Sequence, residues 1–416
     1  MCSAHPAVLE SAIHQAIADK SILHVESTSS QVNQFGGYSG LTPQQFAESL
    51  RCAAVSAGLA EDRALIGGDH LGPFPWKNEP ASAAMEKACD LVESCVLAGY
   101  QKIHLDASHA CADDSQSGPA ESVAAERAAI LCRAAEEAFQ KLPRGSAPPV
   151  YVIGTEVPAP GGESHDSDRP AITTAEDVHR SIEIFQAAFA EKKLTSAWDR
   201  VIAIVVQPGV EFGSDAVFGY DPAKTRALSQ ALASHPGIVF EAHSTDYQSP
   251  EALAQLVRDH FAILKVGPWL TFAYREAILS LSAIEHELFR TSSRQLSRVR
   301  DALETAMLRE PGYWKSYYHG DEAQIRRDLI YGLSDRCRYY WNNPAVQQEV
   351  ARLLENLDST IIPLPLISQY LPAEYGAIRA EELAAVPPEM IKHHIRRVLR
   401  IYAEACSADL KGERSQ

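Results

Sequence analysis

Seven times within the first 290 residues, a short apolar run gives way to an amphipathic helical stretch. That alternation leaves few architectures open. The runs cover residues 21–28, 64–69, 102–106, 149–156, 200–207, 238–243 and 262–266. Helical patterning follows at 43–57, 81–98, 121–141, 175–190, 222–234, 250–259 and 272–287, with a further helix at 7–19 ahead of the first run. Thr42 before Pro43, and Thr174, supply N-cap chemistry, and Gly99 suits a C-terminal cap. Runs this short and apolar suit parallel strands covered on both faces.

Two architectures fit: a doubly wound open sheet and a closed TIM (β/α)8 barrel. An open dinucleotide-binding sheet calls for Gly-x-Gly-x-x-Gly after an early strand, and none is present. Polar residues end nearly every run: Glu26, Asp69 with His70, Asp106, Glu156, Gln207, His243 and Lys265. A barrel builds its active site at that face. The expected fold is therefore an α/β TIM barrel over residues 1–290, its eighth strand supplied by the few residues before His5. Beyond residue 290 the alternation stops. Helices are expected at 293–310, 321–333, 344–357, 363–371 and 388–405, forming a C-terminal helical appendage (291–416) packed on the barrel.

A formal net charge of -16 argues against nucleic acid or an anionic membrane as the main partner, yet leaves room for one basic pocket that takes a sugar phosphate. The eight cysteines include no CxxC pair, so neither a structural zinc site nor a disulfide framework is expected, and the expected compartment is the reducing cytoplasm. Residues 1–17 lack the pattern of a signal peptide, and no apolar run is long enough to span a bilayer.

Asp69-His70, Glu156 and His243 form the core of the expected site. Imidazole and carboxylate suit zinc or another first-row divalent ion, which could polarise a sugar carbonyl while a carboxylate moves a proton. Two histidines need a third ligand, and Gln207 and Glu211 are the candidates. The competing reading has each histidine bonded to backbone in a packed loop. His104 and Asp106 alternate on one strand face, with Asp106 the likelier functional residue of the two, followed by Ser108. The amide-rich loop containing Gln31, Asn33 and Gln34 suits sugar hydroxyls, or else bonds to itself. Lys265 ends a strand at the same face. Arg336 and Arg338 could reach over the barrel mouth to a phosphate, or belong to an ion-pair network beside aromatic residues. No Gly-x-x-x-x-Gly-Lys-Ser/Thr motif exists, which disfavours a nucleotide-dependent kinase of that type.

Several longer motifs carry a resemblance: Ser29-Ser30-Gln31-Val32-Asn33-Gln34-Phe35-Gly36-Gly37-Tyr38, Gly67-Gly68-Asp69-His70-Leu71-Gly72-Pro73, Lys102-Ile103-His104-Leu105-Asp106, Cys111-Ala112-Asp113-Asp114, Gly154-Thr155-Glu156-Val157-Pro158 and Gln369-Tyr370-Leu371-Pro372. With Cys2-Ser3-Ala4-His5-Pro6 they resemble the GatZ/KbaZ family nearly end to end. Members are Z-type subunits of tagatose-1,6-bisphosphate aldolase, some labelled tagatose-6-phosphate kinase. The family is similar in turn to class II, metal-dependent aldolases. The resemblance implies Asp69 and Glu156 as proton-transfer residues and His70 and His243 as metal ligands, with Gln207 or Glu211 where those aldolases have a further histidine. It implies a ketose or ketose phosphate as ligand and a separate catalytic aldolase subunit as partner, supported by this chain. The alternative is a stand-alone, metal-dependent ketose C4 epimerase acting on tagatose, fructose or a uronate by retro-aldol and aldol steps. A homo-oligomer is compatible with either.

Overall fold

The computed structural model describes residues 1–115, 118–154 and 170–412, with side chains to residue 407. Glu156, Gly161 and Gly162 lie outside the described residues.

The chain alternates α1 (Pro6–Asp19), β1 (Leu23–Thr28), α2 (Pro43–Ser56), β2 (Ala64–Leu71), α3 (Ala81–Leu97), β3 (Lys102–Leu105), α4 (Glu121–Phe139), β4 (Val150–Ile153), α5 (Ala175–Glu191), α6 (Thr195–Trp198) and β5 (Val201–Val206). A small antiparallel hairpin, β6 (Glu211–Phe212) and β7 (Val217–Phe218), was not expected and places Glu211 in a strand of its own. Then come α7 (Pro222–Gln230), β8 (Val239–Ala242), α8 (Pro250–Arg258), β9 (Ile263–Leu264) and α9 (Pro268–Phe289). The parallel sheet runs β1-β2-β3-β4-β5-β8-β9. Its two ends meet through the N-terminal segment: Cys2 forms a parallel bridge with Glu26, and its N–H donates to the Val266 carbonyl at 2.7 Å. That segment completes the ring as the eighth, very short strand of a TIM barrel.

Local chemistry explains the element boundaries. Thr42 caps α2 in a full capping box with Gln45, and Thr174 does the same for α5 with Asp177. Gly99 takes φ 84° after α3, where a Cβ would lie 2.5 Å from Arg51 Nη2. The last sheet strand is shorter than expected, and α9 starts earlier because Pro268 sits at its first position.

Beyond the barrel, the helices are α10 (Val299–Arg309), α11 (Glu322–Tyr331), α12 (Pro344–Asp358), α13 (Leu364–Tyr370), α14 (Pro372–Arg379) and α15 (Pro387–Gly412). α14 was missed in the sequence because Leu371-Pro372 reads as a stop, whereas Pro372 begins a new helix. α15 packs against α1, α8 and α9, and a single buried apolar cluster runs from Val8 through Leu281 to Tyr402. No described helix is long and apolar enough to cross a membrane.

The barrel interior holds a small apolar plug of Val152, Ala203 and Val205. Above it lies a layer of buried charge. Lys102 Nζ meets Glu26 Oε1 at 2.9 Å and Glu241 Oε2 at 2.7 Å, and Lys265 Nζ meets Glu26 Oε2 at 2.5 Å. Buried ions of this kind persist only when paired. The lattice holds Glu26 down to about 2: burial opposes ionisation, but Lys102 and Lys265 outweigh it.

Candidate active site

β2 carries the irregularity around which the site is built. Gly68 pairs with Ile103, but Leu71 pairs with Leu105, so Asp69 and His70 together oppose His104. This is a β-bulge, and His70 sits in the left-handed region at φ 49°. Strand alternation alone would send Asp69 inward and His70 outward. The bulge turns both into the barrel mouth, where they are 3% and 5% exposed. The chain then leaves through Gly72, where a Cβ would lie 1.6 Å from the Asp106 carbonyl oxygen.

Asp69 is the hub. Its Oδ1 lies 3.0 Å from Lys265 Nζ and 3.0 Å from His104 Nδ1, and its Oδ2 accepts from Cys2 Sγ at 3.0 Å. Burial works against its charge, but Lys265, His70 and His243 outweigh burial and hold its carboxyl well below the usual range. Around it the rings of His70, His104 and His243 form a triangle, with centroids separated by 5.3, 4.9 and 5.2 Å. Each ring is held by an acid. His70 Nδ1 pairs with Asp106 Oδ2 at 2.8 Å, His243 Nε2 with Glu241 Oε1 at 2.9 Å, and His104 Nδ1 with Asp69. His104 Nε2 is buried and finds no hydrogen-bond partner among the described residues. Burial pulls His243 down to about 4, whereas His70 is raised because Asp69 and Asp106 overcome its burial.

Among the described residues, three sets of ligand-type groups have atoms lying within 4.8 Å of one another: Asp69, His104, Glu241 and His243; His70, Asp106 and His109; and Cys2, Glu26 and Asp69. These buried clusters could bind a metal ion.

The structure distributes the other expected site residues unevenly. Gln31 and Lys265 line the cavity above Asp69, together with His70 and His243. Asp106 stands behind His70, and its Oδ1 accepts from the Ser108 hydroxyl at 2.6 Å. Gln207 Oε1 accepts from the Gly209 N–H at 2.8 Å, and Glu211 Oε1 from the Phe212 N–H at 3.0 Å. Among the described residues, Glu211 joins none of the ligand-spaced sets. Asn33 is engaged within its own loop, with Nδ2 donating to the Ser29 carbonyl and Oδ1 accepting from Phe35 and Gly37. Gln34 Nε2 donates to the Lys87 carbonyl. Arg336 is buried with its guanidinium 3.2 Å from the Tyr317 ring centroid, and Arg338 lines the cavity instead. His104 was read as the lesser partner of Asp106, and Glu241, Lys102 and Cys2 went unremarked as site residues. Each makes its contacts across the barrel, which no local pattern encodes.

The cavity encloses about 920 Å³ including its open mouth. Its rim also holds Asp246, whose Oδ1 accepts from the Gly267 and Trp269 N–H groups at 3.0 and 2.8 Å. Burial raises this carboxyl to about 6. A carboxyl raised by folding contributes stability at low pH and loses it as pH climbs through its folded pKa. Asp246→Asn keeps the acceptor oxygen without the charge. Urea unfolding should find it about 2 kcal/mol more stable than wild type at pH 8 and nearly equal at pH 4. The same difference at both pH values would refute this account of Asp246.

Residues 1–407 match the family model described as D-tagatose-1,6-bisphosphate aldolase subunit GatZ/KbaZ-like. A crystal structure of a probable tagatose 6 phosphate kinase from Sinorhizobium meliloti 1021 is 40% identical, covers 97% of this chain and 98% of its own, and superposes with a TM-score of 0.88. Fructose-bisphosphate aldolase from Campylobacter jejuni is 11% identical over 86% of this chain and 87% of its own, with a TM-score of 0.41. A putative fructose-1,6-biphosphate aldolase from Coccidioides immitis is 12% identical over 86% and 88%, with a TM-score of 0.38. Likeness at these last two scores bears on neither fold nor function.

Proposed function

Because the chain belongs to the GatZ/KbaZ-like family of D-tagatose-1,6-bisphosphate aldolase subunits, we propose that its own barrel cavity binds the ketose bisphosphate and takes part in cleaving it to dihydroxyacetone phosphate and glyceraldehyde 3-phosphate. One observation carries this reading: an ionised, buried Asp69 ringed by three imidazoles at the floor of an open cavity. Buried, perturbed carboxylates and imidazoles gathered at the mouth of a barrel support a ligand-binding role for this chain. A separate catalytic aldolase subunit is the expected partner. No site feature favours C4 epimerisation over cleavage. Eight free thiols fit a reducing, cytoplasmic setting.

The donor set fits a divalent cation, with zinc the best match to imidazole. His104 and His243 would hold it with Glu241, and His70 stands beside them as the remaining imidazole. The unpartnered His104 Nε2 is the atom that most needs such a partner. An ion held there would supply Lewis-acid polarisation of the ketose carbonyl.

The chain's own groups supply the rest. Lys265 and His104 keep Asp69 ionised and oriented, so Asp69 can accept the C4 hydroxyl proton as the C3–C4 bond breaks, and return it in the condensation direction. Asp106 fixes the ring of His70, and Glu241 that of His243. Ser108 secures Asp106 in turn. Gln31 faces the cavity where sugar hydroxyls would lie. Glu156 is retained as the second proton-transfer residue on its motif alone.

The function is tested by dihydroxyacetone phosphate release from D-tagatose 1,6-bisphosphate, with the purified chain alone and with an aldolase subunit added. Turnover in either arm that depends on the chain's Asp69 supports the proposal, and rescue that is indifferent to Asp69 opposes it. The ligand set is tested separately by calorimetric titration of metal-free protein with zinc. His104→Ala and His243→Ala should each weaken binding about 10–100-fold, as loss of a ligand or its support does. Gln207→Ala and Glu211→Ala should leave it within about threefold, a difference below 1 kcal/mol. The reverse ranking would restore the ligands first expected.

A further inference from the structure

We propose that Arg338, carried by the C-terminal appendage, is the anion-binding residue of this cavity and takes a phosphoryl group of the sugar phosphate. The inference rests on reading the cavity as a ketose-phosphate site and adds the group that recognises the phosphate.

The turn that carries Arg338 is fixed from below. Asp335 adopts φ 48°, and its carboxylate is taken up by α9, with Thr271 Oγ1 donating at 2.6 Å and Arg275 Nη1 at 2.9 Å. Asp335 is therefore spent on Arg275. Arg338 instead donates to neutral oxygens: the Ser334 carbonyl at 2.5 Å, the Asp335 carbonyl at 3.0 Å and the Tyr339 hydroxyl at 2.9 Å. These bonds aim the guanidinium without cancelling its charge. These bonds and one to the Tyr38 hydroxyl engage part of its donor set, and the planar fork suits a phosphoryl group with several acceptor oxygens.

The other cations near the mouth are committed. Lys265 is paired with Glu26 and Asp69, and Arg336 is turned onto Tyr317. Arg338 lines the cavity, shared with His70 and His243; Asp335 and Asp246 act on it at longer range, but no carboxylate among the described residues lies in ion-pair contact with it. Neutral donors stand on the same wall. Asn342 Nδ2 reaches the Ser39 carbonyl at 3.2 Å, joining the appendage to the loop that carries Gln31. The appendage thus closes one side of the cavity and brings to it a charge the barrel strands do not supply. A uronate carboxylate shares this chemistry, so the probes must separate the two.

The test is calorimetric binding to metal-free protein of dihydroxyacetone phosphate, inorganic phosphate, free dihydroxyacetone and D-tagaturonate. Wild type is expected to bind the two phosphates and not dihydroxyacetone. Arg338→Gln should weaken phosphate binding about 10–100-fold and Arg338→Lys about tenfold, the scale of a charge-assisted bidentate contact. Asn342→Asp alters an exposed side chain, leaves the Arg338 turn intact and adds a negative charge. It should weaken phosphate binding about threefold or more, which guards against misfolding of the arginine variants. Unchanged phosphate affinity in both Arg338→Gln and Asn342→Asp overturns the proposal, as does phosphate binding no tighter than dihydroxyacetone, or preference for the uronate. Arginine-dependent phosphate binding without any cleavage activity would sustain this site and remove the aldolase reading instead.

Discussion

Asp69→Asn lowers aldol cleavage about 10²–10⁴-fold, the range typical of losing a general acid–base group, while the barrel stays folded. The amide keeps one oxygen for the Lys265 ammonium, now 3.0 Å from Oδ1, and sets its NH2 against Cys2 Sγ, now 3.0 Å from Oδ2, where the sulfur can accept. What it loses is the charge that accepts a proton. Lys265 remains paired with Glu26 at 2.5 Å, so the ion lattice below survives. The expected signature is a fall in turnover with phosphate binding unchanged, because Asp69 is not the group that meets the phosphate. Steady-state rates and calorimetry on the same preparation check both halves. A variant that retains full activity would remove Asp69 from the chemistry.

Gly72→Ala destabilises the protein by about 4 kcal/mol or more, among the largest effects of a single methyl group. The new Cβ would lie 1.6 Å from the Asp106 carbonyl oxygen and 2.8 Å from its carbonyl carbon. Both are backbone atoms, so no side-chain rotation relieves the clash. Relief requires β2 and β3 to separate where the Asp106 N–H donates to the Leu71 carbonyl at 3.1 Å. That movement also pulls Asp106 from His70, so the imidazole triangle should loosen as thermal stability falls. Gly376→Ala is the control. It sits within α14 with nothing within 4 Å of its Cβ position, and helix propensity favours alanine there by about 0.5–1 kcal/mol. A Gly72→Ala protein that melts with wild type would contradict the close approach.

The strand–helix alternation was legible because a buried parallel strand and an amphipathic helix each write a local period, and Thr42 with Pro43, and Thr174, mark helix starts. The gathering of Asp69, His70 and His243 at one cavity was legible from their positions at run ends. The bulge was not: nothing in Gly67-Gly68-Asp69-His70 says that His70, rather than a glycine, takes the positive φ. Nor was the charged layer, since Glu26, Lys102, Glu241 and Lys265 come from four different strands and meet only when the ring closes. The choice between Arg336 and Arg338 depended on the facing of one short helical turn after Asp335, which composition does not specify.

Equilibrium binding of D-tagatose 1,6-bisphosphate to the purified, zinc-loaded chain, with no other subunit present, tests the central claim most directly. The structure predicts one saturable site per chain, weakened by Arg338→Gln and abolished as a turnover site by Asp69→Asn. No binding by the chain alone, combined with undiminished stimulation of a separate aldolase subunit by both variants, would contradict it.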